Sequence, residues 1–381
     1  MFSVQKNTSI LKPNVRFQEL DALRGIAALS VLLFHYSMPC QDKLIFKLFK
    51  YGVSGVDLFF IISGFVVFMS VSNAKNSWEF LINRFTRLFP TYWTAVTFTF
   101  ILIILNEYYL FPTNFDLSKG WETYLYNLTM FQYYFEIPDL DGPYWTMIIE
   151  MIFYLLMFVL MLTKSVKSTV PILVLLIISS ALITEFYKGW GGELYTDYFM
   201  NFPLSQFIPL FLAGILFYQL KNAVGKRLMI ILLILGCYFA QIILFKSGGR
   251  SSGYILHAEY KVVVGIYFVF MFLFAYNKLG WIVNRATLYL GKISFALYLI
   301  HQYLSINVII PHLMKLGVNF HIAAFLIALP TCILIASLIT FYVEKPVSPW
   351  LRKKLSGWLL HQLPNWIKNR PLLQQLFYSS H

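Results

Sequence analysis

Charge is scarce in this 381-residue chain: Asp, Glu, Lys and Arg together make up 12% of it, about half the share of a soluble globular protein. So few charges cannot cover a water-facing surface, which excludes an ordinary soluble protein. A hydrophobic share of 59% excludes intrinsic disorder, which needs low hydrophobicity. Cysteine is rarer still. Cys40, Cys237 and Cys332 stand in unrelated segments with no CxxC and no Cys/His spacing for zinc, so they read as apolar filler and no metal is expected. Acidic residues number 17 against 30 Lys+Arg. There is no Gly-rich phosphate loop, no low-complexity tract and no assertable internal repeat. The first apolar run carries Asp21 and Arg24 and continues without an A-x-A-type site, so it is expected to be a retained span and not a cleaved signal peptide.

Long apolar runs are what the chain has in plenty, with a mean hydropathy of +0.66. A transmembrane helix needs about 20 mostly apolar residues. Runs at 21–38, 52–71, 88–110, 143–163, 169–187, 202–220, 228–245, 258–276, 288–310 and 322–343 therefore predict an all-α integral membrane protein of about ten transmembrane helices. The formal charge of +13 would suggest nucleic acid in a soluble protein. Here the basic residues flank apolar runs, so membrane lipids are the expected partner and nucleic acid is not. With the N terminus inside, 19 of the 30 Lys+Arg fall on the cytoplasmic side and 9 outside, which predicts an N-in, C-in topology. Lys43, Lys47 and Lys50 run against that bias. Residues 1–19 are expected to be a cytoplasmic segment, 20–346 the transmembrane domain, and 347–381 a basic amphipathic tail on the anionic leaflet. The aromatic-rich stretch 117–135 is expected to lie in the outer interface as an amphipathic helix.

Ionisable groups inside spans are costly and point to function. The candidates are Arg24, His35, Asp57, Glu150, Lys292 and His301, with Arg84 and Arg87 at the start of the third span. Arg24 and His35 are eleven residues apart, which puts them on one helix face about 16 Å from each other. An imidazole suits proton transfer near neutral pH, although a lone intramembrane His is about as often a satisfied core residue. Asp57 and Glu150 are expected near the depth of His35, where either carboxylate could orient it; each could equally partner a basic group. Arg84 and Arg87 are neighbours on one face. They are either positive-inside anchors or a guanidinium pair for phosphate. Lys292 either joins them or snorkels to the headgroups. Tyr144, Trp145 and His301 are candidate substrate-binding residues, with packing as the alternative. The pattern is a basic cluster at the cytoplasmic mouth and a His/carboxylate cluster in the outer half. It suits an anionic ligand entering from the cytoplasm, with chemistry near the outer face.

Six segments carry a resemblance. Leu20-Asp21-Ala22-Leu23-Arg24-Gly25 leading to His35, Ser54-Gly55-Val56-Asp57-Leu58-Phe59-Phe60, and Arg84-Phe85-Thr86-Arg87-Leu88-Phe89-Pro90 come first. Trp145-Thr146-Met147-Ile148-Ile149-Glu150, Gly291-Lys292-Ile293-Ser294 running to His301, and Glu344-Lys345-Pro346 follow. Together, and in this order, they resemble the boxes of the membrane-bound acyltransferase-3 family, with Met147 where the family favours Leu. The resemblance implies transfer of an acyl group, usually acetyl, from cytoplasmic acyl-CoA to a hydroxyl of an extracytoplasmic or lipid-linked glycan in a bacterial inner membrane. Typical acceptors are O-antigen, exopolysaccharide and peptidoglycan sugars. It implies His35 as base, Arg84 and Arg87 for the CoA donor, and either direct transfer or an acyl-histidine. The rival expectation from another class is a transporter or flippase of a lipid-linked sugar, which would also need intramembrane charges but would release no CoA.

Overall fold

The computed structural model describes residues 16–39, 43–110, 116–187, 193–222, 226–245 and 250–362. Residues 1–15 of the expected N-terminal segment and 363–381 of the expected tail lie outside the described residues. All regular structure among the described residues is helical. The helices are α1 (Gln18–Ser37), α2 (Lys43–Phe49), α3 (Gly55–Asn73), α4 (Ser77–Leu105) and α5 (Leu117–Asn127), then α6 (Trp145–Leu162), α7 (Thr169–Tyr187), α8 (Glu193–Asn201), α9 (Ile208–Asn222) and α10 (Arg227–Phe245). They end with α11 (His257–Ala275), α12 (Arg285–Gln302), α13 (Ile310–Lys315), α14 (Leu329–Ile339) and α15 (Lys345–Gln362).

Eight helical stretches among the described residues are long and apolar enough to cross a membrane. The two expected spans outside that set are α1, which carries Glu19, Asp21 and Arg24 in its opening turns, and α9, which has only 15 residues. Both are central all the same. From Ile208 to Phe217 every side chain of α9 is buried, as a helix apolar on all sides requires. Large apolar side chains on α7, α10 and α11 (Leu175, Phe186, Phe239, Val262) are exposed, as lipid-facing residues are.

Close helix crossings are set by glycine. A Cβ on Gly64 of α3 would fall 2.8 Å from the Phe211 carbonyl carbon of α9, and one on Gly214 would fall 2.6 Å from Phe65 N. The same device joins α1 to α12, where a Cβ on Gly25 would fall 2.6 Å from the backbone nitrogen of Gly291. Small residues let backbones approach to this degree, and in lipid such packing replaces the hydrophobic drive.

Loop geometry follows the sequence in part. The aromatic stretch is α-helical over α5 and turns into a short 3-10 helix over Gln132–Phe135; α5 is capped by Asp116, whose Oδ1 accepts from Ser118 N (3.0 Å) and Lys119 N (3.4 Å). The Ser118 hydroxyl, which donates to the same oxygen at 2.7 Å, and the Lys119 N–H hold the Asp116 carboxyl below its ordinary range. Lys50, one of the residues against the charge bias, is paired: its Nζ donates to Glu259 Oε1 at 2.5 Å.

Candidate active site

The Gly25–Gly291 crossing fixes the register of α1 on α12. One residue before it on α1 is Arg24, and one after it on α12 is Lys292; ten residues beyond it on each helix are His35 and His301. The imidazole centres of that last pair are 5.2 Å apart. The helices therefore run parallel, with cations at one end of the seam and histidines at the other.

The cationic end opens into a crevice of about 1310 Å³ lined by Arg16, Arg24, Arg84, Arg87, Lys292, Lys345 and Arg352, with Asp21 and Glu344 opposing. A second cavity of about 730 Å³ continues into the bundle and is lined by Phe59, Phe60, Ser63, Glu150, Tyr154 and Tyr298. Arg24, Arg84, Arg87 and Phe295 line both, so the two spaces meet at three guanidinium groups. Arg84 is the most enclosed of these, 8% exposed. Its Nη2 donates to Ser70 Oγ at 2.9 Å, and its guanidinium lies 5.7 Å from the ring centre of Tyr154. Nε and Nη1 find no hydrogen-bond partner. Buried unpaired donors of a cation are expensive, and here they sit where both cavities meet. That is a ready anion site.

The carboxylates are not where the spans alone suggest. Glu150 Oε1 accepts from Ser63 Oγ (2.8 Å) and Tyr154 Oη (2.5 Å), and its charged neighbours are Arg24 and Arg84. Ser63 is six residues beyond Asp57 on α3, about 9 Å along the helix, so Glu150 belongs to the arginine level. Asp57, 2% exposed, faces Tyr260 of α11, whose hydroxyl accepts from Gln241 Nε2 at 3.1 Å. Neither carboxylate hydrogen-bonds His35.

The histidine end is built from α1 and α12. His35 is half-buried and lies beside Phe34, ring centres 5.0 Å apart. His301 is fully buried. Its Nδ1 is 2.8 Å from the carbonyl oxygen of Tyr298; a carbonyl only accepts, so Nδ1 carries the hydrogen and Nε2 the lone pair. Nε2 has no partner. Tyr298 thus links the inner cavity, which it lines, to the histidine pair. Of the other candidates, Lys292 is exposed in the crevice. Tyr144 is fully buried, with its hydroxyl 3.1 Å from Thr99 Oγ1. Trp145 packs 5.8 Å from Phe207 at the start of α6.

Several site residues escaped the sequence reading. Tyr154 stands one turn after Glu150, a spacing at which side chains meet, and was findable. Ser63, Ser70 and Tyr298 look like ordinary small or aromatic membrane residues, and only the assembled bundle brings them to the cavities. Glu344 was noted for its motif alone; it accepts from Thr91 Oγ1 at 3.4 Å and faces the charges of Arg87 and Arg24.

The acyltransferase domain family matches residues 17–341 of the chain, a stretch that contains the inner cavity, the three shared arginines and both histidines. The chain belongs to the acyltransferase-3 family. Similar proteins include YrhL of Bacillus subtilis strain 168, provisionally named a peptidoglycan O-acetyltransferase, at 24% identity over 86% of this chain and 54% of that protein. The peptidoglycan O-acetyltransferase OatA of Listeria monocytogenes is 26% identical over 39% of this chain and 25% of its own length. Nodulation protein 10 of Rhizobium leguminosarum bv. viciae is 26% identical over 35% of this chain and 41% of its own length. The chain thus spans about half of YrhL and less of the other two. No solved structure matches it.

Proposed function

We propose that this membrane domain is an O-acyltransferase that moves an acetyl group from cytoplasmic acetyl-CoA to a hydroxyl of an extracytoplasmic glycan, with the N and C termini inside and the inner membrane as its site. The observation that carries this reading is the pair of cavities that share three arginines, the inner one walled by Tyr298, whose ring packs against His301. CoA phosphates suit Arg84, which lines both cavities and has two donors without a hydrogen-bond partner, together with Arg24, Arg87 and Lys292. The helical rise from Arg24 to His35 is about 16 Å. An extended pantetheine arm, about as long as four residues of backbone, reaches about 14 Å. A pyrophosphate held at the arginines therefore brings its thioester to within about 2 Å of the His35 level, along an inner cavity whose lining is mostly apolar.

At that end His35 takes the proton of the acceptor hydroxyl as its oxygen attacks the thioester carbon. The C–O bond forms, the C–S bond breaks with its electron pair on sulfur, and the proton passes to the thiolate to release CoA. Glu150, fixed by Ser63 and Tyr154, balances the arginines instead of orienting the base. The names of YrhL and OatA favour a peptidoglycan sugar among glycan acceptors. The test is thiol release by detergent-purified protein given acetyl-CoA and solubilised peptidoglycan fragments, wild type beside His35→Ala. Acceptor-dependent release that disappears in the variant supports the reading. Absence of release by folded wild type with any acyl-CoA or glycan overturns it and favours a carrier.

A further inference from the structure

His301 is more than a core histidine, because its basic nitrogen is held unsatisfied. Nδ1 is committed to the Tyr298 carbonyl, while Nε2 is buried and has no partner. A buried acceptor left unpaired is costly, and such an atom in a native structure calls for an explanation. The surrounding backbone holds the residue in place. Ser305 Oγ donates to the His301 carbonyl. Just beyond, the helix widens into π turns over Tyr303–Ile309, and the Tyr303 N–H is taken by Asp141 Oδ1 and Oδ2 at 3.1 and 3.2 Å. Wide turns of this kind are common at functional sites.

The ring beside that of His301 is His35. Two imidazoles joined by one N–H···N bond have centres about 5 Å apart, and these are at 5.2 Å with planes tilted by 50°. A turn of the half-buried His35 ring closes the bond. We infer that His301 is the positioning partner of His35: its Nε2 accepts the N–H of the His35 imidazole, which aims the opposite nitrogen at the acceptor hydroxyl. When His35 takes the hydroxyl proton, the resulting imidazolium is stabilised by the same bond, and the proton then returns to the leaving thiolate. This assigns to a neutral imidazole the work that a carboxylate does in a Ser-His-Asp triad, and it accounts for a site in which neither Asp57 nor Glu150 reaches the base.

The inference rests on the acyltransfer reading, and one experiment separates the two. Thiol release is measured with acetyl-CoA and solubilised peptidoglycan fragments for wild type, His35→Ala, His301→Gln, His301→Ala and the double alanine variant, after each is shown to elute and melt as a folded protein. Both His301 variants should lose about 100-fold in kcat, within the range of general-base effects, with KM for acetyl-CoA within two-fold. Imidazole at millimolar concentration should restore part of the rate of His301→Ala, and the double variant should be no slower than His35→Ala alone. A folded His301→Gln with kcat within three-fold of wild type, or a loss confined to KM, overturns the inference while leaving the acyltransfer reading intact. Wild type that releases no CoA overturns both.

Discussion

The rings of His35 and His301 meet at 5.2 Å because each lies ten residues past a glycine, Gly25 or Gly291, at which α1 and α12 touch. The seam thus acts as a ruler: contact at the glycines sets both the cationic and the imidazole ends. Gly291→Leu should push α12 off α1, since any side chain there meets the Asp21 carbonyl. The expected outcome is loss of acyltransfer with a lowered melting temperature in detergent. Gly236→Ala is the control. Its site on α10 is open, and removing a helix-interior glycine should stabilise the protein by up to about 1 kcal/mol.

Arg84→Lys keeps the charge but loses the planar fork and reaches fewer acceptors. Hydrogen bonds to charged groups are worth about 1.5–3 kcal/mol, so KM for acetyl-CoA should rise about 10- to 100-fold, more for Arg84→Ala, with kcat moved far less. Initial-rate kinetics across donor concentration check this; an unchanged KM would remove Arg84 from the donor site.

Asp57 should be separable from the chemistry. It faces Tyr260, which Gln241 bonds, so Asp57→Asn and Tyr260→Phe should each lower the melting temperature and leave kcat within about three-fold, as expected of buried polar groups away from the reacting atoms. His35→Ala should do the reverse, retaining the melting temperature and losing turnover. A dead but stable Asp57→Asn would return the carboxylate to the reaction.

Stability should fall with rising pH through one loop carboxyl. Asp141, at the entrance to α6, is buried, which pushes its pKa from 3.8 up to about 8 despite the Tyr303 N–H it accepts. The folded state therefore holds a proton that the unfolded chain gives up above about pH 4, and its contribution is largest at low pH and lost between about 4 and 8. Asp141→Asn keeps an acceptor for Tyr303 and cannot titrate. Melting curves across that window should slope less for the variant than for wild type.

Much was determined by the sequence alone, because membrane burial writes itself into composition. A 12% charged share and long apolar runs leave few solutions besides a helical bundle in lipid, and Arg24, His35, Glu150, Arg84 and Arg87 stood out because charge inside a span is costly. Helical periodicity also put Arg24 and His35 on one face, where they are. Depth and facing between helices were decided only by tertiary packing. The Gly25–Gly291 contact brought His301 to His35, and the pairing of α6 with α3 carried Glu150 to Ser63 and the arginines. Asp57 turned to Tyr260 for the same kind of reason. A span's sequence says which residues are inside the membrane, but helices slide and rotate against one another until their small residues allow contact, and that choice is made by two surfaces at once.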